Sequence, residues 1–285
     1  MARGGGRCGC RGIVINVKEN IVDIIIFGGQ SNMQGQTESC PESNEPVKGA
    51  LEYRICQNAL IPLKHPVGEE YGHEKLLCGS HQGGGSLVPA FCRAYIEETG
   101  REVIAIHAAR GNTTLGEWQK GTHRFYSMSQ KIRLGIEKAK EQGTVEHIYY
   151  VWLQGESDAI IRTSEEEYLE SLIRYKNNLK KEFAIEKFGI IKVGYFFCTS
   201  QWHTQVSTYE EKKKCDEVIM RSQERAVEED SDFIMLTRIC TELSQQFEYI
   251  NPQASGHYNN AGMEIIGAKA GKTLARTMKV KKSFI

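Results

Sequence analysis

Three kinds of functional group, a hydroxyl, carboxyls and an imidazole, spread along the 285-residue chain make up the inventory of an acyl-transfer site. Ser31 stands in Gly29-Gln30-Ser31-Asn32-Met33, Glu156 and Asp158 in Gln154-Gly155-Glu156-Ser157-Asp158, and His257 in Gly256-His257-Tyr258-Asn259. A serine hydroxyl is a poor nucleophile at neutral pH until a neighbouring base takes its proton. An imidazole, with an unperturbed pKa of about 6.5, is suited to that task. A buried carboxylate behind it would fix the tautomer and stabilise the imidazolium that forms. Taken singly, each residue has a plainer role. Ser31 could be a turn residue, Glu156 could pair with Arg110 or cap a helix, and a histidine by default lies on the surface or in a satisfied core.

Their positions favour chemistry. In open parallel α/β sheets, ligands bind beyond the carboxyl ends of the strands, and these residues follow apolar strand patterns. Residues 22–27 (VDIIIF) form a continuous apolar run bounded by Gly28 and Gly29, the mark of a central buried strand. Further strands are predicted at 103–107, 145–153, 189–198 and 233–236. Residues 30–85 carry weak periodicity and are read as a long, loop-rich crossover. Helices are predicted over 87–98 (Ser86 as N-cap, Gly100 as stop), 125–142, 164–183, 211–229 and about 260–278. The third opens with the capping-box pattern Ser164…Glu167. Strands alternating with helices of crossover length imply a mostly parallel, five-stranded sheet covered on both faces. The expected organisation is a tail over residues 1–18 and one domain over 19–285.

Four blocks occur in an order that resembles one group of SGNH (GDSL-like) hydrolases. They are Gly29-Gln30-Ser31-Asn32-Met33, Gly83-Gly84-Gly85-Ser86-Leu87, Trp152-Leu153-Gln154-Gly155-Glu156-Ser157-Asp158 and His257-Tyr258-Asn259. The set is similar to the sialate O-acetylesterase and acetylxylan esterase group, the sixth carbohydrate esterase family, over about residues 20 to 278. The resemblance implies a flavodoxin-like three-layer αβα fold. It also implies a metal-independent serine hydrolase, needing no cofactor, that removes acetyl groups from sugars.

By the same resemblance Ser31 is the nucleophile and His257 the base. The backbone N–H groups of Ser31 and Gly85 would hold the oxyanion, with a side-chain amide from Gln154 or Asn112. Gln30 and Asn32 would line the substrate site. The wider superfamily commonly has an Asp three residues before the catalytic His, and that position here is Ala254. The orienting role therefore passes to Glu156, with Asp158 as fallback.

Other chemistries find less support. No GxxxxGK[ST] pattern marks a P-loop, and Cys78-x-x-His81 lacks partners at zinc-finger spacing, so no metal is expected. Trp118 and Trp202 could stack on sugar rings or belong to the core, and His107 and His203 could line a pocket. The 36 Lys+Arg balance the 36 Asp+Glu, which argues against a nucleic-acid partner; Lys212-Lys213-Lys214 reads as a solvated helix face. No apolar run approaches the ~20 residues of a membrane helix. The nine scattered cysteines and the lack of a signal peptide point to a cytoplasmic location, with secretion the alternative if the start is mis-assigned. An esterase on non-sugar acyl groups and a silent sugar-binding module are the rival readings; Ala254 favours the second.

Overall fold

The computed structural model describes residues 20–81, 84–197 and 208–282. The tail over 1–18, Gly83, Cys198, Trp202 and His203 lie outside the described residues. The five expected strands are present as β1 (Ile21–Gly29), β4 (Glu102–Ala109), β5 (Thr144–Leu153), β6 (Lys187–Ile191) and β7 (Phe233–Thr237). They run parallel in the order β4-β1-β5-β6-β7.

The sheet has seven strands rather than five. β2 (Ala50–Arg54) and β3 (Ala59–Pro62) form a hairpin inside the stretch read as a loop. β2 joins the edge of β4 in parallel and β3 closes that edge antiparallel. Their short, mixed sequences, ALEYR and ALIP, carry no alternation, and the turn between them lacks an Asn-Gly or Asp-Gly pair. The fourth strand is shorter than expected, because residues 192–197 continue without a strand ladder.

Alternation along β5 sorts the two faces. Tyr149 meets Tyr95 of α2 (Val88–Thr99), whereas Tyr150 stacks on Phe188 and meets Tyr175 of α5 (Glu165–Glu182). On the first face α2 packs closely on α8 (Asn260–Lys282). On the other lie α3 (His123–Lys140) and α5, with α6 (Tyr209–Glu229) beside α5. Ser164 Oγ accepts from Glu167 N–H as the N-cap of α5, and Gly100 ends α2 in the left-handed conformation at φ +70°.

Several expected surface or pocket residues are core. Trp118 is fully buried edge-on against Trp152. His107 bonds through Nε2 to the Met33 carbonyl, and burial pushes its pKa down to about 3. Lys212 corrects the reading of a solvated helix face: it is buried and paired with Asp216. No described helix is long and apolar enough to cross a membrane.

β1 is the switch point of the sheet, since the chain passes to β4 on one side of it and to β5 on the other. The crevice at its carboxyl end is where such folds bind ligands, and Ser31 follows it.

Candidate active site

β1 ends at Gly29, whose φ is +145°; a Cβ there would lie 2.0 Å from the Leu153 carbonyl oxygen. The Gln30 N–H donates to that carbonyl at 3.0 Å. The chain therefore hugs β5 and turns at once into the one-turn helix α1 (Ser31–Gln34), with Ser31 its first residue. Among the described residues the Ser31 hydroxyl has no hydrogen-bond partner. It lines a cavity of about 530 Å³ with Gln30, Gln34, Arg110, Gly111, Asn112, Phe196 and His257.

His257 reaches that cavity from the turn before α8. Its Nδ1 lies 3.2 Å from the Ala254 carbonyl oxygen, and its backbone N–H donates to the same oxygen at 3.1 Å. With Nδ1 protonated and donating, Nε2 keeps a lone pair, the tautomer a general base needs. Burial holds the imidazole pKa below 6.5, offset in part by the carbonyls of Ala254 and Ser255. The turn is clamped by Asn251, which donates through Nδ2 to the Gln36 carbonyl at 2.7 Å and accepts from Gln253 N–H at 2.8 Å. Phe196 meets the imidazole edge-on, with ring centroids 5.3 Å apart. Asp216 in turn accepts the Phe196 N–H at 3.1 Å.

The expected pairing of Glu156 with His257 is not formed. Glu156 opens α4 (Glu156–Ile160), and its Oε1 accepts from Asn32 Nδ2 at 2.8 Å while Oε2 is buried without a partner among the described residues. Asn32 Oδ1 accepts from the Tyr258 N–H at 3.3 Å. The carboxyl therefore braces the residue after His257 through Asn32, and the imidazole is held by a main-chain carbonyl instead. Burial raises the Glu156 pKa, with the Asn32 bond opposing it.

The fallback acid is also engaged elsewhere. Asp158 accepts from Leu115 N–H at 2.9 Å and Gln154 Nε2 at 2.5 Å, and burial pushes its pKa up to about 6. These bonds pin the segment after β4 onto α4.

Two expected oxyanion donors are misplaced. The Gln154 amide is fully buried; it donates to Asp158, the Thr113 carbonyl and Gln30, and accepts from Tyr168. The Gly85 N–H donates to Thr37 Oγ1, and a Cβ at Gly85 would meet Asn260 and Pro41, away from the Ser31 cavity. The glycine beside Ser31 is Gly111: a Cβ there would come 3.2 Å from Ser31 Cβ. Its N–H donates to Gln34 Oε1 at 2.8 Å. Position was the available signal, since Arg110-Gly111-Asn112 follow the strand adjacent to β1. Asn112 is exposed in the cavity, and no hydrogen bond in the described residues engages its amide. Gln30 also faces the cavity, with its Oε1 accepting from Gln154 and from Ser157 N–H. Among the described residues, no three His, Cys, Asp or Glu side chains gather as a metal site.

Comparison with known proteins agrees with this architecture. A probable carbohydrate esterase of Arabidopsis thaliana is 25% identical over 182 residues, which cover 60% of this chain and 67% of that one. A solved structure of an Arabidopsis thaliana protein superposes with a TM-score of 0.61 at 16% identity, covering 91% of this chain and 97% of that one. The structure of NanS gives a TM-score of 0.61 at 14% identity, covering 92% and 99%. At those identities the two structures share the fold. The family model for carbohydrate esterases described as sialic acid-specific acetylesterases matches residues 21–238, from β1 and Ser31 through β7. The chain belongs to that family and is a carboxylic ester hydrolase of the acetylesterase kind.

Proposed function

We propose that the chain hydrolyses O-acetyl esters of sugars through an acetyl-enzyme on Ser31, with His257 as base. One observation carries this reading. Ser31, whose hydroxyl has no partner in the described residues, and His257, whose Nδ1 is held by the Ala254 carbonyl, line the same cavity at the switch point of the sheet.

Ser31 Oγ attacks the acetyl carbonyl while its proton passes to His257 Nε2. The tetrahedral intermediate collapses, the bond to the sugar oxygen breaks, and His257 returns the proton to that oxygen. Water then gives a proton to Nε2 as it attacks the acetyl-serine, which releases acetate and regenerates the hydroxyl. The oxyanion meets the Ser31 N–H, which as the first residue of α1 has no intrahelical acceptor. The Asn112 amide assists. The Ala254 carbonyl does the orienting that a carboxylate performs in a Ser-His-Asp triad, so the imidazolium is stabilised by a dipole rather than a full charge.

The test is acetate release from partially acetylated xylo-oligosaccharides and from O-acetylated sialic acid, set against p-nitrophenyl octanoate. Chelator-insensitive release from at least one sugar acetate, with the octanoate poor, is expected. Turnover of long acyl esters alone would replace the reading with a lipase, and sugar binding without turnover would replace it with a silent module.

A pH profile follows from the environment of His257. The neutral imidazole is the active form, and burial lowers its pKa, so the neutral form persists to lower pH than for an exposed histidine. The acid limb of kcat/KM is expected to rise with pH through a midpoint below 6.5. A midpoint above 6.5 would indicate a carboxylate partner and contradict the assignment of Ala254.

A further inference from the structure

The cavity that holds Ser31 has a neighbour across Arg110. A second cavity of about 410 Å³ shares Gln34, His81 and Arg110 with it and continues between residues 68–70 and 78–80. Each is within the range of a small-ligand site, roughly 300–1,000 Å³, so the second has room for a sugar unit beside the acetylated one.

The charges around the second cavity are unevenly satisfied. Glu69 is paired with buried Lys131 at 2.9 Å and accepts from the N–H groups of Ile55 and Cys56. Glu70 pairs with Lys75 at 3.1 Å. Arg110, at the junction of the two cavities, makes no ion pair among the described residues; its one side-chain bond runs from Nη1 to Cys78 Sγ. The nearby Arg124 already has a partner, Glu117 at 3.2 Å. A partly buried guanidinium has five donors in a fixed fork and matches a carboxylate with two parallel bonds. Its natural partner is an anion that the chain does not itself supply.

We propose that the second cavity is a subsite for a sugar unit glycosidically linked to the acetylated one, and that Arg110 receives the carboxylate of that neighbouring unit. The substrate class is then an acetylated acidic oligosaccharide. This rests on reading the Ser31 cavity as the acetyl-ester site. A neutral neighbour would fill the same space but leave Arg110 unpaired.

The experiment compares mono-O-acetylated disaccharides whose neighbouring unit is glucosyl, glucuronosyl or sialyl, together with the acetylated monosaccharide and p-nitrophenyl acetate. For at least one acidic neighbour kcat/KM is expected to exceed the glucosyl value by at least ~10-fold, the size of a charge-assisted hydrogen-bond contribution, with the gain in KM. Which acid gives the gain distinguishes a uronic from a sialic neighbour. Arg110→Gln should erase that gain, so that the acidic disaccharide falls at least ~10-fold more than p-nitrophenyl acetate does. Arg110→Lys, which keeps the charge without the fork, should retain part of it. Glu70→Trp at the exposed rim should bring every disaccharide down to the monosaccharide value.

Equal rates on acidic and neutral disaccharides, or an equal fall on all substrates in Arg110→Gln, would overturn the subsite. Calorimetry of the wild type with the unacetylated acidic and glucosyl disaccharides separates the two claims. Acid-selective binding that Arg110→Gln abolishes, without turnover of any ester, would sink the esterase reading and leave the subsite standing. Binding that does not discriminate would sink the subsite.

Discussion

Replacing Ser31 with Ala is expected to lower kcat/KM on a sugar acetate at least ~10³-fold, about 4 kcal/mol of transition-state stabilisation, and to leave the fold intact. Both halves follow from the environment of one oxygen. Among the described residues Ser31 Oγ has no hydrogen-bond partner, so its removal orphans no buried donor or acceptor. The methyl group of Ala fits where the Ser Cβ already sits beside Gly111. The thermal midpoint should therefore move by no more than about 1 °C, within the usual range for a change that breaks no packing or network. A turnover loss accompanied by a collapse of the midpoint would mean that Ser31 supports α1 rather than attacks substrate. A retained rate would place the nucleophile elsewhere.

His257→Ala is expected to cost about as much as Ser31→Ala, and the double variant little more than either alone. Nucleophile and base act as one unit, so their losses do not add. The contrasting case is Glu156→Gln. An orienting carboxylate in contact with the base typically carries a loss of about 10⁴ when converted to its amide. Here the carboxyl touches Asn32 rather than His257, burial already favours its neutral form, and Gln keeps an oxygen for Asn32 Nδ2. Glu156→Gln should lose less than ~10-fold, since it removes no group that contacts the base. A 10⁴-fold loss would restore Glu156 as the orienting acid. Kinetics on an acetate ester, with circular dichroism for the fold, separates these outcomes.

The scaffold could be read from the sequence where its physics is local. The apolar runs at 22–27 and 145–153 read as strands by their length and their β-branched and aromatic content, and the Ser164…Glu167 pattern and Gly100 mark helix ends by their own backbone needs. From parallel strands it follows that Ser31 and His257 can share an edge of the sheet. β2 and β3 escaped because an edge hairpin is specified by pairing to β4 rather than by its own composition.

Within the site, what could not be read was the availability of donors and acceptors. Gln154 looks like a free amide in the sequence, yet four groups engage it once Tyr168, Asp158, Thr113 and Gln30 converge. Gly85 lies in the more glycine-rich block, but the close approach falls to Gly111, which follows the strand beside β1. The loss of an Asp at Ala254 removed a side chain without removing the acceptor, because the backbone carbonyl at that position reaches the imidazole. Lys212 reads as solvated for a similar reason: its partner Asp216 and the Phe196 backbone that Asp216 holds become visible only in three dimensions.

The most direct test of the central claim is the site of covalent capture. The wild type would be inactivated with a p-nitrophenyl phosphonate ester, digested, and the modified residue located by mass spectrometry, with an acetylated xylo-oligosaccharide as competing ligand. One equivalent of phosphonate on Ser31, slowed by the sugar acetate and absent in His257→Ala over the same interval, is the result this account predicts. Inactivation through any other residue, or full esterase activity in a protein whose Ser31 is blocked, would contradict it.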